Sequence, residues 1–165
     1  MAIGGVLFDI DGVLVTSWKP IAGAAETLQV MARNQIACSY LTNTTTRTRV
    51  QIAELLTEAG MAVRADEVIT AAVLTAEYVR NRYPDARCFL VNSGQIAEDM
   101  PGIDIVYSSE FTGPKAPATP DVVLLGGAGV QPSDAVVGLR LDGAGRAGGC
   151  HASQHCLDHH RRVAC

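Results

Sequence analysis

The sequence predicts an α/β protein built on a doubly wound parallel sheet, with a second α/β module beginning after the first, and three features predict it. Short apolar runs alternate with stretches of helical period, the first run ends on a pair of acids, and a hydroxyl-rich turn follows the second run. Strand, helix, strand and helix in this order require right-handed crossovers. These bring the carboxyl ends of the parallel strands to one edge, where ligands bind in such folds.

Each element has its own signal. Residues 4–8 form an apolar run cut off by Asp9 and Asp11, the pattern of a first strand buried on both faces of a parallel sheet. Pro20 then introduces a helical pattern in which Ile21, Ala24, Ala25, Leu28 and Ala32 share one face, closed by Asn34 and Gln35. A second strand over residues 36–41 leads into the turn Thr42-Asn43-Thr44-Thr45. A second helix follows with Ile52, Leu55, Leu56 and Ala59 on one stripe, and Gly60 is a natural stop. Beyond it the pattern predicts a helix over 71–82, a strand over 88–91, a short helix over 95–99 and apolar runs at 103–106 and 122–125. The expected organisation is therefore a first module over 1–70, a second over 71–137 and an atypical tail over 138–165.

Bulk properties narrow the function. The 165 residues suit one domain, or one and a fraction. A formal charge of −4, with only two lysines, Lys19 and Lys115, argues against a nucleic-acid partner, which needs clustered cations. The start of the chain has no basic leader and no stretch is apolar for long enough to span a bilayer, so the expectation is a cytoplasmic protein with no membrane partner and reduced cysteines. Cys38 and Cys88, within apolar runs, read as small core residues.

The chemistry concentrates at two places. Asp9 and Asp11, two residues apart at the end of the first strand, can project both carboxylates to one side. Two such charges tolerate proximity when a hard cation such as Mg²⁺ lies between them or when one stays protonated. Phosphoryl transfer through an aspartyl-phosphate requires that pairing, one carboxylate attacking phosphorus and the other protonating the leaving oxygen. The plainer alternative is a pair of turn-forming acids, with Gly12 letting the backbone turn away. A calcium loop does not fit, because its third acidic position and distal Glu are missing. Thr42 and Asn43, at the end of the next strand, are placed to bind phosphoryl oxygens, or else to cap the following helix, a role open also to Thr44, Thr45 and Thr46.

Phe8-Asp9-Ile10-Asp11-Gly12-Val13-Leu14, then Pro20-Ile21-Ala22-Gly23-Ala24, then Leu41-Thr42-Asn43-Thr44 and Thr48-Arg49, in this order and spacing, resemble the haloacid dehalogenase superfamily. The likeness covers roughly residues 3–127. It is closest to the branch of p-nitrophenyl-phosphatase-like, phosphoglycolate-phosphatase-like and sugar-phosphate phosphatases. It implies a magnesium-dependent phosphatase of small phosphorylated metabolites. By the same likeness Asp9 is nucleophile and magnesium ligand, and Asp11 is general acid/base with its main-chain carbonyl on the metal. Thr42 and Asn43 become phosphate binders, Ile69-Thr70-Ala71-Ala72 a hinge, and the second module the start of an α/β cap.

The departures are as informative. The resemblance calls for a lysine in a Gly-Lys-Pro setting after the cap and an acidic Gly-Asp loop beyond it, and neither occurs in the sequence. Gly113-Pro114-Lys115-Ala116-Pro117 precedes the apolar run at 122–125, so Lys115 reads as a solvated loop lysine. In the tail, Cys150, His151, His155, Cys156, His159, His160 and Cys165 have the residue types of a zinc site. A shifted reading frame or truncation after about residue 130 accounts better for a segment rich in Arg, Gly, Ala, His and Cys with no apolar period. The expected function is thus a phosphatase impaired in this chain, the alternatives being a phosphate-binding remnant and, ranked lower, a receiver-like signalling module. Oligomeric state and substrate identity are left open by the sequence.

Overall fold

The computed structural model describes residues 3–106 and 120–127, together with the backbone of Arg162–Ala164. The chain divides into two compact units, Met1–Leu74 and Thr75–Cys165, a boundary one helical turn beyond the expected 70/71 division. Among the described residues no helix is long and apolar enough to cross a membrane.

In the first unit, β1 (Gly5–Asp9), β4 (Ala37–Thr42) and β5 (Val68–Thr70) form a parallel sheet in the order β1-β4-β5. The connections are α1 (Ala24–Arg33) and α2 (Arg49–Glu58). Because both right-handed crossovers step in the same direction, both helices cover the same face. On that face Phe8, Tyr40 and Val68 stand in register, Phe8 stacks on Tyr40 at 6.2 Å, and Leu28, Ile52 and Leu56 complete the core. The opposite face carries Leu7, which is 59% exposed. The expectation that the first strand is buried on both faces is therefore corrected: β1 alternates exposed and half-buried residues, since both helices lie on one side of the sheet.

The helix ends follow the local chemistry. Thr48 caps α2 in a reciprocal box with Gln51, Thr48 Oγ1 accepting from Gln51 N and Gln51 Oε1 accepting from Thr48 N. At the other end Met61 N donates to Leu56 O and Gly60 N to Thr57 O, with Gly60 at φ 83° and Met61 buried against the core. This paired closure needs a left-handed residue, and glycine supplies it without a Cβ penalty. The same closure ends α1, where Gln35 takes the left-handed position at φ 57°. Two details of the expected first helix change. Pro20 belongs to β3 (Lys19–Pro20), which pairs with β2 (Val15–Thr16) in a small hairpin, and α1 starts at Ala24. Ala32 is exposed, leaving Ala24 and Leu28 as the buried stripe.

The second unit is also parallel. α3 (Ala71–Arg82) crosses the boundary between the units and buries Ala72, Ala76 and Val79 along one stripe. β6 (Arg87–Val91), β7 (Asp104–Val106), β8 (Val122–Leu125) and β9 (Arg162–Ala164) form a sheet in the order β7-β6-β8-β9. Thus the tail contributes the backbone of one short strand, parallel to β8. The expected helix over 95–99 is a 3-10 turn, Ile96–Asp99. Arg87 ties the amino ends of three strands: its N–H donates to Asp121 Oδ2 at 3.0 Å, and its Nε to Asp104 Oδ2 at 3.4 Å.

Cys88 is fully buried and Cys38 half-buried, and burial, more than the acids near each, raises both thiols above their ordinary range. Burial likewise pushes the Tyr40 phenol up to about 12, with Cys38 and Glu67 adding repulsion. An unfolded tyrosine ionises near pH 10, so between about pH 10 and 12 the unfolded chain loses a proton that the folded chain keeps. Stability fully present below about pH 10 should therefore fall as pH rises, with a limiting slope of about 1.4 kcal/mol per pH unit. Urea unfolding of the wild type and Tyr40→Phe across this window checks the point. The phenylalanine variant should show a flatter dependence, and an unchanged slope would assign the transition to another group.

Candidate active site

The site is built around one buried residue between two exposed ones. Asp9 ends β1, Ile10 has no exposed surface, and Asp11 is exposed again. Ile10 N donates to Leu41 O at 3.1 Å, extending the ladder with β4. Its carbonyl accepts from Leu14 N at 3.0 Å and Val15 N at 3.1 Å. The chain folds back at Gly12, at φ 84°, whose N–H donates to Val15 O at 2.7 Å. Strand alternation drives Ile10 into the core and leaves both carboxylates on the solvent side.

Asp9 stands in register with Leu41, so Thr42 ends β4 and Asn43 leaves the sheet beside the acidic turn. Thr42 is buried, and its hydroxyl accepts from Thr44 N at 3.1 Å and donates to Thr44 Oγ1 at 3.1 Å. This local turn holds the loop open before the helix, and helix capping falls to Thr48, not to Thr42, Thr44, Thr45 or Thr46. Asn43 is exposed at the same edge. The fully buried Thr70, in register with Thr42 on β5, accepts from Val73 N at 3.3 Å and opens α3 directly from the strand. All four candidate residues thus lie on adjoining segments of one carboxyl edge.

Sequence reasoning missed the hairpin tip. Ser17 and Trp18 form a two-residue turn with φ of 50° and 63°, and the Arg47 guanidinium lies 5.2 Å from the centroid of the Trp18 ring. No Asn-Gly pair marks that turn, so its usual signal is missing. Lys115 and the Cys and His residues of the tail lie outside the described residues.

Among the described residues there is no group of three or more His, Cys, Asp or Glu side chains that could hold a metal. Asp9 and Asp11 are nevertheless hard oxygen donors on an exposed turn. Mg²⁺ commonly takes one or two carboxylates and keeps waters, so the donor set fits that ion.

A family model described as haloacid dehalogenase-like hydrolase matches residues 6–106, well over half of the chain. The chain belongs to the haloacid dehalogenase-like hydrolases. An acid sugar phosphatase of Staphylococcus epidermidis is 35% identical over 85 residues, which are 52% of this chain and 33% of that protein. Among solved structures, NagD from E. coli is 26% identical with a TM-score of 0.67, covering 84% of this chain and 52% of that one. The p-nitrophenyl phosphatase from Archaeoglobus fulgidus has a TM-score of 0.67 at 24% identity, covering 81% of this chain and 49% of that one. The chain therefore spans about a third of the curated relative's length and about half of each solved one. Its two parallel sheets are the α/β architecture of these hydrolases. The receiver-like alternative falls away: the family is a different one, and β5 and β6 end on Thr70 and Val91, neither of them acidic.

The turn geometry makes a direct prediction. A Cβ at Gly12 would meet nothing within 4 Å, so substitution there is penalised by backbone conformation alone. Gly12→Ala should cost about 1–2 kcal/mol, and Gly12→Asn less, because asparagine tolerates the left-handed region better. Denaturant midpoints of both variants test this, and equal losses would mean that the turn rearranges.

Proposed function

We propose that the chain carries the nucleophile half of a phosphomonoester hydrolase acting on a small phosphorylated metabolite, a sugar phosphate being the class its acid sugar phosphatase relatives suggest. The observation that carries this reading is that Asp9 and Asp11 lie on one exposed turn beside Thr42, the last residue of the adjoining parallel strand, and Asn43, which follows it. An Asp9 oxygen attacks phosphorus as the bond to the leaving oxygen breaks, giving an aspartyl-phosphate. Asp11 donates its proton to that leaving oxygen. The Asp11 carboxylate then takes a proton from water, whose oxygen attacks phosphorus and releases phosphate with Asp9 regenerated. Asn43 and the main-chain N–H groups of the loop hold phosphoryl oxygens, joined by the Thr42 hydroxyl when it turns its proton from Thr44 Oγ1 to the substrate. Asp9 and the main-chain carbonyl of Asp11 would hold a magnesium ion, which would supply positive charge where two carboxylates and a phosphoryl group meet.

Turnover in this chain is low on the same reading. The sequence has no Gly-Lys-Pro lysine and no Gly-Asp acidic loop, and loss of one preorganised electrostatic contact typically lowers the rate by about 10²- to 10³-fold. That absence also favours a second reading, a phosphate-binding remnant without turnover. Hydrolysis of p-nitrophenyl phosphate at saturating magnesium separates the two. Under the first, slow turnover is abolished by Asp9→Asn and nearly so by Asp11→Asn, with folding checked by circular dichroism. Under the second, the wild type shows no turnover and still binds phosphate, weakly in Thr42→Val. Retention of most activity by Asp9→Asn would sink the nucleophile assignment.

A further inference from the structure

The turn Ser17-Trp18 puts two residues other than glycine in succession into the left-handed region, one of them a bulky aromatic. That conformation is unfavourable for such side chains and is held only where the surroundings over-determine it. Here the surroundings are visible: Trp18 is half-buried, packs against the core of the first unit and presents its ring to Arg47. Arg47 lies in the loop that runs from Thr42 to the cap residue Thr48, so the contact bridges the hairpin after Asp11 and the loop after β4.

The cations of the first unit are unequally committed. Arg64 is paired with Asp66 at 2.9 Å and with Glu67 at 3.7 Å. Arg33 lies in the last turn of α1, where the helix dipole favours it. Arg47 has the Trp18 ring as its described contact and no carboxylate partner among the described residues. A cation–π contact holds a guanidinium over the ring face without neutralising it, and a guanidinium with no carboxylate partner can grip an oxyanion bidentately.

We propose that Arg47, positioned by Trp18, is a phosphoryl-binding residue that supplies positive charge to the site at Asp9. This rests on the phosphatase reading above and adds to it a cation, which neither the two acids nor Thr42 and Asn43 supply. In this arrangement Arg47 touches the substrate oxyanion and Trp18 is its positioning residue.

The chain has a single tryptophan, so tryptophan emission reports on the surroundings of Trp18, the Arg47 contact among them. Inorganic phosphate titrated into the full chain with magnesium should change the emission saturably. Arg47→Met keeps the stem of the side chain and should weaken phosphate binding about tenfold or more, with Arg47→Lys in between. By calorimetry, Trp18→Tyr should keep most of the affinity and Trp18→Leu should lose it, a rescue that a merely structural tryptophan would not show. Phosphate binding that is lost in Thr42→Val yet unchanged in Arg47→Met would overturn the role of Arg47 and leave the threonine site standing. No phosphate binding to the wild type, by emission or calorimetry, would overturn both.

Discussion

The candidate site depends on how Ile10 is held. Its side chain has no contact with solvent, its N–H continues the ladder to Leu41, and its carbonyl closes the turn through Leu14 and Val15. These bonds leave its neighbours Asp9 and Asp11 nowhere to go but the solvent side. The buried isoleucine and the left-handed Gly12 fix the backbone beneath both acids through hydrophobic burial and hydrogen bonds. Every later feature of the edge, from the register with β4 to the hairpin that returns as β3, is built outward from that anchor.

Much of this was legible in the sequence because it is written in local chemistry. Residues 4–8 and the stripe through Ile52 and Leu56 declare strand and helix by period, and Gly60 declares a helix end by its freedom at positive φ. The features that stayed hidden are those decided by tertiary context. Pro20 looks like a helix opener, yet it sits on an edge strand where a missing N–H is harmless. The threonines from Thr42 to Thr48 offer the same hydroxyl five times, and only the start of α2 at Arg49 selects Thr48 as the cap. Leu7 reads as core, whereas the one-sided placement of α1 and α2 leaves it 59% exposed. The cation–π contact of Arg47 with Trp18 joins residues far apart in the chain and has no sequence signal.

The second unit repeats the parallel logic with a different order. β7 lies on one side of β6 and β8 on the other, so the chain reverses direction across the sheet at β6, and the carboxyl ends of β6 and β8 flank a switch point. There Ser93 donates both its N–H, at 3.0 Å, and its hydroxyl, at 2.5 Å, to Gly127 O. The Asn92 amide is buried, and neither its oxygen nor its nitrogen has a hydrogen-bond partner among the described residues. A Cβ at Gly126 would collide with that amide, so glycine is what allows the side chain to fold over the strand end.

Charge is the remaining constraint on chemistry at Asp9. A carboxylate approaching a phosphoryl group brings two anions together, and Asp11 beside it adds a third acidic group. Hydrogen bonds from Thr42 and Asn43 can orient oxygens, but neutral donors do not offset net charge. The sequence has few cations to spend on this, with 13 Lys and Arg against 17 Asp and Glu, and Arg64 in the first unit is already matched to acids. An arginine held over an aromatic ring by a cation–π contact keeps its charge, which an ion pair would offset. The strained hairpin therefore makes physical sense as part of the electrostatics: it holds in place a ring that keeps a guanidinium near the edge with its charge uncommitted.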